Sequence, residues 1–335
     1  MTTELYDILE ISPLARKEVI TAAYRELMKV YHPDNPSGDK AVAQKLNHAK
    51  AVLLDPERRN EYDKRKDLNG VIIGDFRVIK FIAEGGFGRT YMGEHIWTKA
   101  PVCIKHCANV SPQYHAILIA EAKAIWDLHH HGIPIMRTLV KLDDGSIALI
   151  MSYIPGPTLE EVVTKVKTSK YQKLEPETVC WITERVINVL RFLHSERVVH
   201  GDVKPQNIII QPENHRIILV DYGLAAVNPS KTSSAKGYTP YFAPPEQISG
   251  LPLIPQSDFY ALGMTMIYAF GGMVDKKKIP DDVPDILTNF IKRLIQRDPF
   301  SRPNWENEDL FDTFKNIRIK LFGNEHSGMK PILGL

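Results

Sequence analysis

The residues of this chain best equipped for chemistry lie in one short stretch, Val199-His200-Gly201-Asp202-Val203-Lys204-Pro205-Gln206-Asn207. Lys204 follows Asp202 by two positions and Asn207 follows it by five, and the apolar run Ile208-Ile209-Ile210 leaves at once. A carboxylate can orient an attacking hydroxyl and take its proton. An ammonium can offset charge on a phosphoryl group in transit, and an amide oxygen can bind a divalent cation. The same residue types also make ordinary polar turns. A second stretch, Ala83-Glu84-Gly85-Gly86-Phe87-Gly88, has glycines that would let backbone amides approach a phosphate. A third, Asp221-Tyr222-Gly223, begins fourteen residues past Asn207. His129-His130-His131 has no neighbouring Cys or acid cluster, and adjacent residues of a regular element cannot all aim at one ion, so no metal site is expected there.

The elements around these stretches follow from residue pattern. Phe76 to Ile82 alternates and reads as a strand. Arg89 to Gly93 looks extended, which argues against a dinucleotide-binding turn, since that needs a helix directly after the glycines. Ser111-Pro112 opens a helix whose only acid between Gln113 and Lys123 is Glu121. Glu177 to His194 is an amphipathic helix leading to the Asp202 loop, and Ile208–Ile210 and Ile217–Val220 form a hairpin across Pro212-Glu213-Asn214. The first seventy residues read as helices. Ile20, Tyr24, Leu27 and Tyr31 share one face, with Arg25 and Lys29 outside it, and His32-Pro33-Asp34 breaks the helix. Val42, Leu46, Ala49 and Leu53 mark the next face, and Asp55-Pro56 starts another helix.

Composition sets the frame. The 335 residues are 44% apolar and 24% charged, with net charge +2. That is enough chain for two domains and gives no support to nucleic-acid binding. The cysteines Cys103, Cys107 and Cys180 form no CxxC pair, which fits a reducing cytoplasm. The N-terminus shows no apolar leader. The longest apolar run, Phe259 to Val274, is short for a span of about 20 residues and reads as a buried helix. No membrane association is expected.

From Phe76 to Arg302 the motifs resemble those of protein kinases, in order. The Asp202 loop resembles H-R-D-x-K-P-x-N with Gly201 in place of Arg. Gly85 and Gly88 match the glycine-rich loop, Ala83 replaces its first Gly and Gly86 is extra. Val102-Cys103-Ile104-Lys105 resembles V-A-I-K, and Asp221-Tyr222-Gly223 resembles D-F-G. Ala243-Pro244-Pro245-Glu246 resembles A-P-E with an additional Pro, Asp258 matches the acid of the buried central helix, and Arg302 matches the late Arg that pairs with Glu246. The resemblance implies ATP and magnesium as cofactors and a Ser/Thr-bearing protein as substrate. It implies Asp202 as base, Lys204 and Lys105 as charge stabilisers, Glu121 as partner of Lys105, and Asn207 and Asp221 as metal ligands. It further implies nucleotide contacts from Gly85, Gly86, Gly88, Lys105, Met151, Tyr153 and Ile209. Gly201 cannot receive a phosphate from the Thr232-Ser233-Ser234 loop as the family's Arg does. The interval Met273–Pro284 is short for a substrate-docking helix.

The first segment resembles a J-domain of the DnaJ type, through Leu5-Tyr6-Asp7-Ile8-Leu9, Tyr31-His32-Pro33-Asp34 and Asp55-Pro56-Glu57-Arg58-Arg59. This implies docking to a DnaK-type chaperone by His32, Pro33, Asp34, Arg25 and Lys29. The expected architecture is α+β, a small all-α J-domain over 1–68 and a linker over 69–75. A bilobal kinase-like domain over 76–322 follows, β-rich in 76–154 and α-rich in 155–322, and a tail over 323–335 ends the chain. Two alternatives stay open: a co-chaperone with a non-catalytic kinase-like scaffold, and a small-molecule phosphotransferase.

Overall fold

A computed structural model describes residues 5–11, 15–32, 38–64, 68–85, 88–211 and 216–323. Pro33, Asp34, Gly86, the 212–214 turn, residues 65–67 and the tail beyond Gly323 lie outside the described residues. The chain divides into two compact units, Met1–Leu68 and Asn69–Leu335.

The first unit is helical: α1 (Leu5–Ile8), α2 (Lys17–Tyr31), α3 (Lys40–Leu53) and α4 (Pro56–Lys64). Ile20 of α2 and Leu46, Ala49 and Leu53 of α3 are buried with Tyr6 and Leu9, and Tyr24, Leu27, Tyr31 and Val42 pack around them. The caps follow from sequence. Asp39 Oδ1 accepts from the amides of Ala41 and Val42, and Asp55 Oδ1 from those of Glu57 and Arg58. Arg59 ties α4 back, donating to Tyr6 Oη and to the Ala15 carbonyl.

The second unit opens with a curled antiparallel sheet of β1 (Ile72–Ile73), β2 (Phe76–Gly85), β3 (Gly88–His95), β4 (Pro101–Cys107), β5 (Met136–Lys141) and β6 (Ile147–Ser152). Its strand order is β1-β2-β3-β4-β6-β5. Helix α5 (Pro112–Ile125) lies against it, with Leu118 and Ala122 packed on Leu149 and Met151. Ser111 stands at the N-cap of α5 but its side chain makes no capping bond; the Pro at the first turn suffices, because Pro needs no amide partner.

The second lobe is mainly helical: α6 (Leu159–Thr168), α7 (Pro176–Ser195), α8 (Pro245–Ile248), α9 (Pro255–Ala269), α10 (Asp285–Leu294) and α11 (Leu310–Phe322). Short antiparallel pairs carry the loops between α7 and α8: β7 (Val198–Val199) with β10 (Ala226–Val227), and β8 (Ile208–Gln211) with β9 (Arg216–Leu219). Helix α9 is buried on nearly every side, as its apolar run requires. Between α9 and α10 the chain makes a tight turn instead of a helix. Met273 and Lys278 exchange both backbone hydrogen bonds, at 3.0 and 2.9 Å, and Lys277 takes φ +51°. Among the described residues, no helix is long and apolar enough to cross a membrane.

Candidate active site

Helix α9 positions the Asp202 loop through one carboxylate. Asp258 is fully buried; its Oδ2 accepts from the His200 amide and its Oδ1 from the Gly201 amide, both at 2.8 Å. A second contact to Asp258 Oδ2 comes from His194 Nε2 at 2.8 Å, and Trp305 Nε1 donates to His194 Nδ1. Indole can only donate, so His194 carries its proton on Nε2 and gives it to Asp258. Thr265 Oγ1 of α9 donates to the Val203 carbonyl. The loop thus hangs from a core helix by backbone groups, which frees its side chains.

Those side chains converge. Asp202 Oδ2 lies 2.6 Å from Lys204 Nζ and accepts from Asn207 Nδ2 at 3.1 Å. Asp202 Oδ1 accepts from Thr239 Oγ1 at 2.6 Å, and Lys204 Nζ donates to the same hydroxyl at 2.9 Å. Asn207 Nδ2 also donates to the Asp202 carbonyl. Its Oδ1 receives no hydrogen bond from any described residue. His200 is fully buried; its Nδ1 accepts from the Asp202 amide and its Nε2 faces the Val220 carbonyl. Burial lowers its pKa below that of a free histidine and keeps it neutral.

A second cluster stands on the sheet. Lys105 Nζ of β4 lies 2.7 Å from Glu121 Oε2 of α5 and 2.7 Å from Asp221 Oδ1. Burial disfavours the charge on Lys105, but the two carboxylates outweigh it and hold its pKa above the ordinary lysine value. Burial raises the pKa of Glu121 despite Lys105. Burial pushes the Asp221 carboxyl up, but Lys105, with the Gly223 amide and Lys204, outweighs it and shifts the pKa down. The clusters are joined by the Val220 amide, which donates to the Asn207 carbonyl and so sets Asp221 beside Asn207. Asp221 sits at φ +65°, a left-handed conformation its own backbone neighbour Gly223 supports by donating to Oδ1.

The departures from the kinase pattern have local reasons. Tyr222, at the usual Phe position, stacks edge-on to His200 and gives its hydroxyl to the Leu219 carbonyl, so the extra oxygen is satisfied in the core. Cys103, where the pattern has Ala, has its thiol pushed up to about 12 by burial and stays neutral. Gly85 pairs with Gly88 to close the β2–β3 turn, and a Cβ at Gly88 would sit 2.4 Å from the His106 carbonyl oxygen. Met151 is buried beside α5 and pairs with Cys103, while Tyr153 and Ile209 are half-buried.

Elsewhere, His130 stacks on Phe192 and against His131, away from either cluster. In the first unit, Arg25, Lys29 and His32 are exposed, and Lys29 pairs with Glu26. Glu246 meets Arg302 in a buried bidentate pair at 2.6 and 2.9 Å. Two residues of the site have roles that the sequence does not assign. Thr239 enters from a segment 37 positions away from Asp202. Gln247 donates from α8 to the Gly201 and Gly237 carbonyls. Thr239 lies within Gly237–Glu246, the stretch that resembles the end of an activation segment, but sequence position alone gives its hydroxyl no partner.

Comparison with known proteins agrees with this geometry. The family model for the protein kinase domain matches residues 76–275, and that for the DnaJ domain matches residues 4–63. The chain belongs to the protein kinase family, with a DnaJ domain preceding the kinase domain. It is 27% identical over 266 residues to serine/threonine-protein kinase D of Synechocystis sp., covering 70% of this chain and 51% of that protein. It is 28% identical over 257 residues to serine/threonine-protein kinase PrkC of Bacillus subtilis, covering 74% and 37%. Serine/threonine-protein kinase TIO of Arabidopsis thaliana is 27% identical over 255 residues, covering 70% and 18%. The chain therefore spans about half or less of the length of these curated relatives.

Proposed function

We propose that this protein transfers the γ-phosphoryl group of ATP to a serine or threonine hydroxyl of a protein, through a kinase domain over 76–322. The observation that carries this reading is the pair of clusters, Asp202–Lys204–Asn207 with Thr239, and Lys105–Glu121–Asp221, in one continuous site. The substrate hydroxyl oxygen bonds to the γ-phosphorus, the bond to the β–γ bridging oxygen breaks, ADP leaves, and the hydroxyl proton passes to the Asp202 carboxylate. Lys204 holds Asp202 from one side and offsets charge on the moving group. Lys105, oriented by Glu121, binds the α- and β-phosphates. Thr239 fixes the rotamer of Asp202 so that its oxygens are aimed before the substrate arrives.

Asn207 Oδ1 and the Asp221 carboxylate are hard oxygen donors and suit magnesium, which keeps water and phosphate among its ligands. When bound, the metal supplies charge neutralisation on the phosphates. Serine/threonine selectivity is supported by Lys204 and by the names of the relatives. The test is transfer from labelled Mg-ATP to generic protein substrates. Asp202→Ala should cut turnover by about 10³-fold while ATP still binds. Absence of any transfer by the wild type would leave the scaffold reading.

The DnaJ domain carries the second part of the proposal, engagement of a DnaK-type chaperone. It is supported by the match over 4–63 and by the exposure of His32, Arg25 and Lys29. Stimulation of that chaperone's ATPase, lost in His32→Gln, is the measurement; equal stimulation by both proteins would refute it.

A further inference from the structure

The position before Asp202 is built to exclude the arginine that would read a phosphorylated activation segment. Gly201 takes φ +73°, and a Cβ there would lie 2.7 Å from Leu253 Cδ1 and 2.8 Å from the Leu224 carbonyl oxygen. Leu253 is 2% exposed and Leu224 8%, so two leucines close the space in which a guanidinium would have to start. The hydroxyls of the segment face one another instead: Ser230 bonds to Thr232 and to Ser233, and all are away from the core. Among the described residues, no Lys or Arg side chain hydrogen-bonds these hydroxyls. Lys236 spends its ammonium on the Ala225 carbonyl at 2.6 Å.

What does hold the segment to the catalytic loop is a neutral amide. Gln247 is 2% exposed, and its Nε2 donates to the Gly201 carbonyl at 2.8 Å and to the Gly237 carbonyl at 2.9 Å. Both hydrogens of one amide nitrogen are thus used, one on each partner of the junction. Gly201 is adjacent to Asp202, and Gly237 stands two positions before Thr239, whose hydroxyl meets Asp202 at 2.6 Å. Gln247 itself is fixed from behind. Its neighbour Glu246 is anchored by Arg302 and by Ser257 Oγ at 2.9 Å. A run of buried contacts therefore leads from Arg302 through Glu246 and Gln247 to both sides of Asp202.

We propose that Gln247 is a positioning residue that clamps the activation segment in its working geometry without phosphate, in the place that the Leu224–Leu253 plug denies to an arginine–phosphate pair. The proposal rests on the kinase reading given above. It implies a segment that is ordered as soon as the domain folds, so that control falls to substrate delivery and not to modification of Thr232, Ser233 or Ser234.

The test uses the full chain in four forms: phosphatase-treated wild type, Thr232→Ala/Ser233→Ala/Ser234→Ala, Gln247→Leu and Gln247→Glu. Rates with Mg-ATP and a generic protein substrate are read beside hydrogen exchange of peptides spanning 232–243. The treated wild type and the triple variant should stay within about threefold of untreated wild type. Loss of the two hydrogen bonds to the Gly201 and Gly237 carbonyls should lower kcat of Gln247→Leu by about tenfold or more, with KM for ATP little changed and exchange in 232–243 raised. Gln247→Glu is the diagnostic variant. Its carboxylate cannot donate, but on protonation it regains one O–H donor. The ratio of its rate to that of wild type should therefore rise as pH falls, which a purely space-filling role would not produce. Wild-type kcat and wild-type exchange in Gln247→Leu would overturn the proposal, as would a tenfold loss on phosphatase treatment that rephosphorylation restores. A wild type that transfers no phosphate would sink the kinase reading alone, since the exchange comparison still decides whether Gln247 holds the segment.

Discussion

Thr239 shows how much a single hydroxyl can contribute at the residue scale. It donates to Asp202 and accepts from Lys204, so it fixes both groups at once. Thr239→Val keeps the shape and removes the hydroxyl, which leaves Asp202 held by Lys204 and Asn207 alone. We expect kcat to fall by about ten- to a hundredfold with KM for ATP unchanged, measured by steady-state phosphate transfer; a drop in ATP binding instead would assign the residue to the nucleotide. His130 gives a second expectation. Burial, with His131 beside it, lowers its pKa to about 4 from 6.5. His131 and His200 are lowered as well, chiefly by burial. Below pH 6.5 the unfolded chain takes up protons that the native state refuses, so stability rises with pH across that window. It should be at its full value above 6.5 and decline as pH falls toward 4. Urea midpoints measured between these limits check this, and His130→Phe, which retains the stack on Phe192, should flatten the decline. The residues visible in sequence were those inside compact motifs, such as Asp202, Lys204 and Asn207. Thr239 and Gln247 were not visible, because their roles exist only once a segment distant in sequence folds over the loop.

Elements were legible in proportion to how strongly local pattern determines them. The α2 and α3 faces, the β8–β9 hairpin and the burial of α9 all follow from apolar periodicity or from an unbroken apolar run. Strand β1 did not, since two residues carry no period and its register with β2 is set by the Gly74 turn at φ +58°. The turn between α9 and α10 was readable only as a shortage of chain. Nothing in local sequence announces the buried ion pair that joins α7 to α11. There Glu184 meets Arg318, with both side chains at most 5% exposed, and Arg185 approaches the same carboxylate. Removing one partner of such a pair strands a charge in low dielectric. Arg318→Met should cost about 3 kcal/mol, at the low end of the range because Arg185 still neutralises Glu184. Replacing Glu184 and Arg318 together by Met should cost less than Arg318→Met alone, since Arg185 is 27% exposed and can turn to water. Chemical denaturation of both variants decides it: a double variant less stable than the single one would mean the pair is held by more than its charge.

The whole molecule places a DnaJ domain over 4–63 and a kinase domain over 76–275 on one chain, separated by about a dozen residues. Short tethers convert a second encounter into an intramolecular one, at an effective concentration of about a millimolar. A chaperone captured by the first domain would therefore offer its own hydroxyls, and those of its bound clients, to Asp202 far above their free concentration. The prediction is a division of labour between two substitutions. With a DnaK-type chaperone below micromolar concentration, His32→Gln should lower transfer onto the chaperone or its client by about tenfold or more. Transfer onto a free peptide should be unchanged. The exposed His32 closes α2 with its backbone amide, which donates to the Met28 carbonyl, a bond the substitution keeps. Asp202→Ala should do the reverse, abolishing transfer to every acceptor while chaperone ATPase stimulation stays intact. Both substitutions are read in the same two assays on the full chain. Equal transfer to the chaperone by wild type and His32→Gln would show that the domains share a chain without sharing a substrate, and the tether argument would fail with it.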